Sequence, residues 1–277
     1  MEKPFTIELL FTDRPQKTTA NAILRKAKEV FGDIKIISRD EKLTSFTPPE
    51  YTSFSNGKFE PVSLAISGVG EFDDKQSVSE FARSQIWNVQ NVDEVLSQYK
   101  YSLKLYDINA SGQMPKQRAE MLVLWLEVAL AVFPECKAIW TKDAGKLQLV
   151  DAIKQFKGIG INEFIFSMVN VRFFNIPDTN EFIVDSVGLA NIGLSDVQFH
   201  FRGVNPNKVA NLAYKLAWYM LNDDNLIKDN DTIDGLNDKG ELTSDVQWLC
   251  HYEDSLIEPL RPVLDINMGK YAAGDRA

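Results

Sequence analysis

The chain has 277 residues, 44% of them hydrophobic, with 39 acidic against 30 basic side chains, a formal charge of −9 and a pI near 4.9. This length buries a sizeable core, as one large domain or two of ordinary size. The negative balance excludes nucleic acid and anionic membrane surfaces as partners, because both require a basic footprint, and leaves a basic protein or a small molecule open.

Cys136 and Cys250 are the only cysteines, and Pro4 and Glu8 interrupt the opening MEKPFTIELLF where a signal peptide needs an apolar core. These features predict a reduced, cytoplasmic protein without a structural disulfide. The most apolar run, residues 121–133, contains Glu127 and is too short to cross a bilayer, so it is expected as a buried helix.

In chain order, residues 5–12 alternate as a strand, and Thr18 or Thr19 then caps a helix with apolar positions Ala20, Ile23, Leu24, Ala27, Val30 and Phe31, closed by Gly32. Residues 34–37 form the next strand. From Ser38 to Pro61 the periodicity fades into a loop region holding at most one short strand. Residues 62–67 resume an extended pattern, Ser77-Val78-Ser79-Glu80 has the form of a capping box opening a helix, and residues 92–98 form a second helical segment. Residues 101–108 alternate again, and Pro115 starts a helix running to Phe133 that is apolar almost all round in its second half.

Residues 136–141 read as a strand and residues 145–156 as an amphipathic helix; Gly158 and Gly160 then mark a boundary. A dense apolar strand is expected over residues 164–174 and its return along 182–185. Asp196 to Arg202 follows as the clearest strand of the chain. Asn205 and Pro206 open a helix with Val209, Leu212, Ala213, Leu216, Tyr219 and Met220 at helical spacing. Acidic turns at Asp223-Asp224 and over 229–234 flank a short strand at Leu226 and Ile227, and residues 246–252 form one more. Pro259 and Pro262 suit an extended segment.

The elements predict an α+β fold, with sheet modules carrying helices on one face, in an N-terminal α+β lobe over 1–157 and a C-terminal one over 158–277 packed as one unit. Ile7, Leu103 and Phe199 stand at a constant spacing in three strand, loop, helix, strand units, which points to internal repetition and makes Glu8, Lys104 and His200 equivalent outward positions.

Strict alternation in Asp196-Val197-Gln198-Phe199-His200-Phe201-Arg202 puts Val197, Phe199 and Phe201 on one face and Asp196, Gln198, His200 and Arg202 on the other. Such a strip can be a solvated sheet face. It can also be a cleft in which His200 is a general base held by Asp196 or Asp185, Arg202 holds an anionic group and Gln198 contributes to binding. No Ser or Cys nucleophile in a recognisable elbow accompanies the histidine. Gly188 and Gly193 have phosphate-loop spacing, but Leu194-Ser195 replaces the Lys-Ser/Thr of such loops, so both glycines are read as turn residues needing φ > 0.

Cys136, Cys250, His200 and His251 lack metal-ligand spacing, and the 229–240 segment has Ile233 and Gly240 where a calcium loop needs oxygen ligands; no metal and no cofactor are expected. The five tryptophans occupy apolar periodic settings that predict core packing, with Trp87 singled out as a binding-rim residue.

The motifs PVSLAISG, SQIW, KYSLKLYD and LAVFPECKAIW, and above all VDSVGLANIGLSDVQFHFRG followed by NPNKVANLAYKLAWYML and DTIDG, resemble a family of uncharacterised bacterial proteins known only as a domain of unknown function. The resemblance is strongest over residues 182–235. It implies a bacterial origin and a single co-folded chain, and it supplies no activity or catalytic residue.

Two functional readings therefore stand. One is a non-enzymatic acidic interaction protein that binds a basic protein partner, as immunity proteins do. The other is a small-molecule hydrolase or transferase working through His200 with Asp185 or Asp196.

Overall fold

The computed structural model describes residues 3–55, 57–222, 227–237 and 239–274. The Asp223-Asp224 turn and Leu226 lie outside these residues, and Ile227 is buried but not in a strand. The chain divides into two compact units, residues 1–168 and 169–277.

In the first unit the order is β1 (Thr6–Phe11), α1 (Ala20–Phe31), β2 (Lys35–Arg39), β3 (Leu43–Thr47), β4 (Thr52–Ser55), β5 (Lys58–Pro61), β6 (Ser63–Ser67), β7 (Gly70–Glu71), α2 (Asp74–Ser77), α3 (Glu80–Ser84) and α4 (Val92–Ser97). Then come β8 (Tyr101–Ile108), α5 (Pro115–Val132), β9 (Ala138–Thr141), β10 (Lys146–Leu149), α6 (Val150–Gln155) and α7 (Ile161–Met168). The main sheet runs β10-β9-β1-β8-β6-β3-β2, with β7 also on β8, and every pair in it is antiparallel.

Alternation in β1 sends Leu10 to the face that also carries Ala138, Trp140 and Leu147, where Phe72, Val78, Ile86, Leu96 and Tyr99 cover it. Ile7, Leu9 and Phe11 point the other way and are fully buried. Helix α5 packs against α1, α7 and β8, and Trp125 on it meets Phe31 and Phe46 at 6.5 and 5.5 Å between ring centroids. Its nine buried residues cover more than half of the helix circumference, but the burial is not all round as the apolar sequence predicts: Gln117, Glu127 and Ala131 line up at helical spacing on one exposed face. Thr19 caps α1 through its side chain, and Gly32 ends it with φ 69°.

The second unit is built from β11 (Asn170–Asn175), β12 (Glu181–Val187), β13 (Asp196–Arg202), α8 (Pro206–Asn222), β14 (Thr232–Leu236), β15 (Leu242–Asp254) and β16 (Pro262–Asn267). Its sheet runs β11-β12-β13-β16-β15-β14, antiparallel except for the β13–β16 pair. Helix α8 packs on β11, β12 and β13 through the stripe Val209, Leu212, Ala213, Leu216 and Met220, and Val184, Val197, Phe199 and Phe201 are fully buried.

Several expectations are corrected. The apolar run at 164–174 is not one strand: Ile161, Phe164, Ile165 and Met168 recur at helical spacing and form α7, and β11 starts only at Asn170. A short apolar run carries no period strong enough to separate the two. The 145–156 helix is a strand followed by α6, because β10 pairs with β9 across the Lys142 to Gly145 turn. The 38–61 region holds three strands, β3, β4 and β5. Ser77 ends α2, and it is Ser79 whose hydroxyl caps α3. Helix α7, beyond the Gly158 to Gly160 turn, packs on α5 and β10. Of the three strands in the constant-spacing register, β1 and β8 are antiparallel neighbours in one sheet, with Leu103 opposite Leu9, while β13 belongs to the other sheet. Trp125, Trp140 and Trp248 are core residues, but Trp218 is 39% exposed on the outer side of α8.

Candidate functional site

The polar strip of β13 has the two faces that its alternation predicts, but it is not open to solvent. Asp196 and Gln198 are fully buried, His200 is 9% exposed, and only Arg202, at the strand end, is exposed. Strand register explains what meets the strip. Arg172 on β11 stands opposite Asp185 on β12, Asp185 opposite Gln198 on β13, Gln198 opposite Asp265 on β16, and Asp265 opposite His251 on β15. Directly opposed residues share a face, so one polar row crosses five strands.

Within it, Arg172 grips Asp185 in a two-pronged pair, Nε to Oδ1 at 2.8 Å and Nη2 to Oδ2 at 2.5 Å. Arg261, just before β16, adds its own Nη2 to Asp185 Oδ2 at 2.8 Å and Nε to Asp196 Oδ2 at 3.1 Å. The result is a buried alternation of charge, Arg172, Asp185, Arg261, Asp196. Removing both signs from water is tolerable only when each lone pair and each N–H finds a partner. Beyond the ion pairs, Arg172 Nη1 donates to the carbonyl of Glu258, and Arg261 donates to the carbonyls of Ile257, Pro259 and Ser186.

Asp196 shows why the Gly188 to Gly193 segment has its shape. Its carboxylate accepts from the backbone N–H of Gly188, Leu189 and Ala190 at 3.3, 3.1 and 3.3 Å, and from the Ser186 hydroxyl at 2.9 Å. Gly188 at φ 140° and Gly193 at φ 92° let the turn close around it. N–H groups of the kind that would cradle a phosphate are used by a carboxylate of the same chain. Burial pushes the Asp196 carboxyl above its ordinary range, opposed by Arg261, Ser186 and the turn amides.

Gln198 donates to Glu253 at 3.0 Å and to Asp265 at 3.1 Å, while its Oε1 accepts from the Leu256 amide at 2.8 Å. His200 bonds neither Asp185 nor Asp196; its partner is Glu181, at 2.9 Å from Nε2. The C-terminal segment crosses the same strand end: the Ala273 amide donates to the His200 carbonyl, and a Cβ at Gly274 would stand 2.8 Å from the imidazole Cε1. Trp87, in the other unit, is half exposed, and its indole N–H donates to the Ser84 carbonyl. An open cleft of the second unit, about 1050 Å³ between α8 and β14, is lined by residues such as Leu212, Leu216, Tyr219, Ile233 and Leu242, and by none of the strip residues. Among the described residues no group of three His, Cys, Asp or Glu side chains is placed to hold a metal ion.

Arg261 thus joins Asp196 of the strip to Asp185 of β12, Gln198 is tied separately to Glu253, Asp265 and the Leu256 amide, and His200 stands apart with another carboxylate. Missing from the sequence reading are Arg172, Arg261, Glu253 and Asp265. Arg172, flanked by Val171 and Phe173 in an apolar run, is the one with a visible signal, since a charge in such a setting is buried only with a partner.

The fold is α+β, and within it residues 185–267 match a family model described as a domain of unknown function, DUF4261. That match spans β13, α8 and β16, and includes Asp185, Asp196, Gln198 and Arg261. No curated protein matches the chain. No solved structure matches it either.

Proposed function

We propose that this is a non-enzymatic, acidic interaction protein of the bacterial cytoplasm that recognises a basic protein partner, in the manner of an immunity protein. The observation that carries the reading is where the charge lies. Residues 169–277 hold 17 acidic against 9 basic side chains and residues 1–168 hold 22 against 21, so nearly all of the −9 belongs to the second unit. A field of one sign on one unit steers a partner of the opposite sign and selects against others. The location is supported by two cysteines that are buried and free. The hydrolase or transferase alternative receives no support from this geometry, because Asp185 and Asp196 are each engaged by a buried arginine and His200 faces no cavity of the second unit described above.

Affinity purification of the tagged chain from bacterial extract at low ionic strength, followed by salt elution and mass spectrometry, tests this. The expected eluate contains a protein rich in Lys and Arg that leaves as salt rises. A chain that repeatedly emerges alone overturns the reading.

A further inference from the structure

We infer that the loop from Ser255 to Arg261 is a preorganised docking loop for a basic protein, with Leu256 and Leu260 as apolar anchors and Asp254 and Glu258 as charge partners; this rests on the acidic-binder reading above. The loop is held from behind. The carbonyls of Ile257, Glu258 and Pro259 all accept from the buried guanidinium groups of Arg172 and Arg261, the Leu256 amide donates to Gln198, and Ser255 Oγ donates to the Pro259 carbonyl. The buried ionic network therefore has an output, because it fixes the backbone of a surface loop.

Of what that loop displays, the Glu258 carboxylate also accepts from the Leu260 amide at 2.9 Å and so helps to shape the loop, while the two leucine side chains point away from the core. Leu256 is 49% exposed and Leu260 67%, while Asp254 and Glu258 are exposed beside them in sequence. Ordering an apolar loop in advance removes an entropic cost from binding, and rigidly held loops are where recognition residues concentrate. Charge decides the kind of partner. From Glu253 to Arg261 the chain contains three carboxylate side chains, of which Asp254 and Glu258 are exposed, and one basic residue, Arg261, which is buried. A partner meeting this surface therefore gains from Lys and Arg around an apolar contact and is penalised for carboxylates.

The test selects a display library of random dodecapeptides on the immobilised full chain and measures enriched peptides by fluorescence anisotropy. Proteins compared are the wild type, L256A/L260A, D254N/E258Q, which removes both charges and keeps an acceptor for the Leu260 amide, and, as a control in the other unit, Phe59→Ala at a 72% exposed position. All substitutions are at exposed side chains, and thermal melts check that each variant is folded. Enriched peptides are expected to combine Lys or Arg with large apolar residues, to bind both loop variants about tenfold more weakly or worse, and to bind Phe59→Ala unchanged. Basic peptides that bind the loop variants as tightly as the wild type overturn the docking loop and leave the acidic-binder reading standing. Failure to enrich basic peptides at all counts against that reading and takes the loop with it.

Discussion

Arg261 and Asp185 lie 76 residues apart and meet at 2.8 Å through Nη2 and Oδ2, on the same carboxylate oxygen that Arg172 Nη2 approaches at 2.5 Å. The charge of two guanidinium groups on one buried carboxylate is balanced by the second acid, Asp196, which takes the other side of Arg261. The four residues form one unit, so removal of any one leaves a net charge in a dry environment.

Arg261→Met is therefore expected to destabilise the protein by about 3–5 kcal/mol, the typical cost of breaking a buried ion pair from one side. Denaturant unfolding measures it. A loss within about 0.5 kcal/mol, the range of ordinary surface substitutions, would mean that the arginine is solvated and the buried ionic network does not hold the loop.

Leu126→Asp should abolish folding, because Leu126 is fully buried in α5 and a carboxylate there has no partner. His200→Ala, on a solvated strip, would leave stability unchanged. Its 9% exposure and its bond to Glu181 instead predict a loss of about 1 kcal/mol. Thermal melts of the two variants should rank in that order, with His200→Ala clearly below wild type.

Lys146 gives a pH dependence. It is 5% exposed, stands across the β-ladder from Thr141, and has no ion-pair partner among the described residues. Burial lowers its ammonium from 10.5 to about 8. Between these values the unfolded chain holds the proton and the folded chain does not, so stability should rise as pH climbs from about 8 to 10.5. Lys146→Met should raise stability at pH 7 by about 2–3 kcal/mol, and the gain should shrink through that window. Urea titrations at pH 7, 9 and 10.5 read this directly, and a gain independent of pH would contradict it.

Gly112 anchors the β4–β5 hairpin. Its N–H donates to Ser53 Oγ at 3.0 Å and its carbonyl accepts from the Phe54 amide at 3.3 Å, while a Cβ would stand 2.0 Å from the Phe54 carbonyl oxygen. Gly112→Ala should cost about 1–3 kcal/mol, as overpacking does, and should speed amide exchange in β4 and β5 ahead of β8. Equal protection in wild type and variant would show that the hairpin is held elsewhere.

Long periodic segments were legible without coordinates. The alternation of residues 101–108 and 196–202 and the one-sided stripe of α8 each encode a burial direction locally, because side-chain direction follows backbone period, whereas the apolar second half of α5 announced deep burial without saying that Glu127 and Ala131 would face outward. The turn role of Gly188 and Gly193 was also local, since φ > 0 is a property of single residues. The α7 helix and the β9–β10 hairpin were not legible, because runs this short take their conformation from the neighbours they pair with or pack on. Which face of β13 is polar was fixed by its residues alone, but whether that face is wet was not. Arg172 and Arg261 decide it, arriving from β11 and from the approach to β16 at sequence separations of 13 and 76 from Asp185. Sequence order contains the charges of such a network, and only strand pairing brings them within hydrogen-bond distance; that pairing turns a strip suited to a catalytic cleft into the buried support of a surface loop.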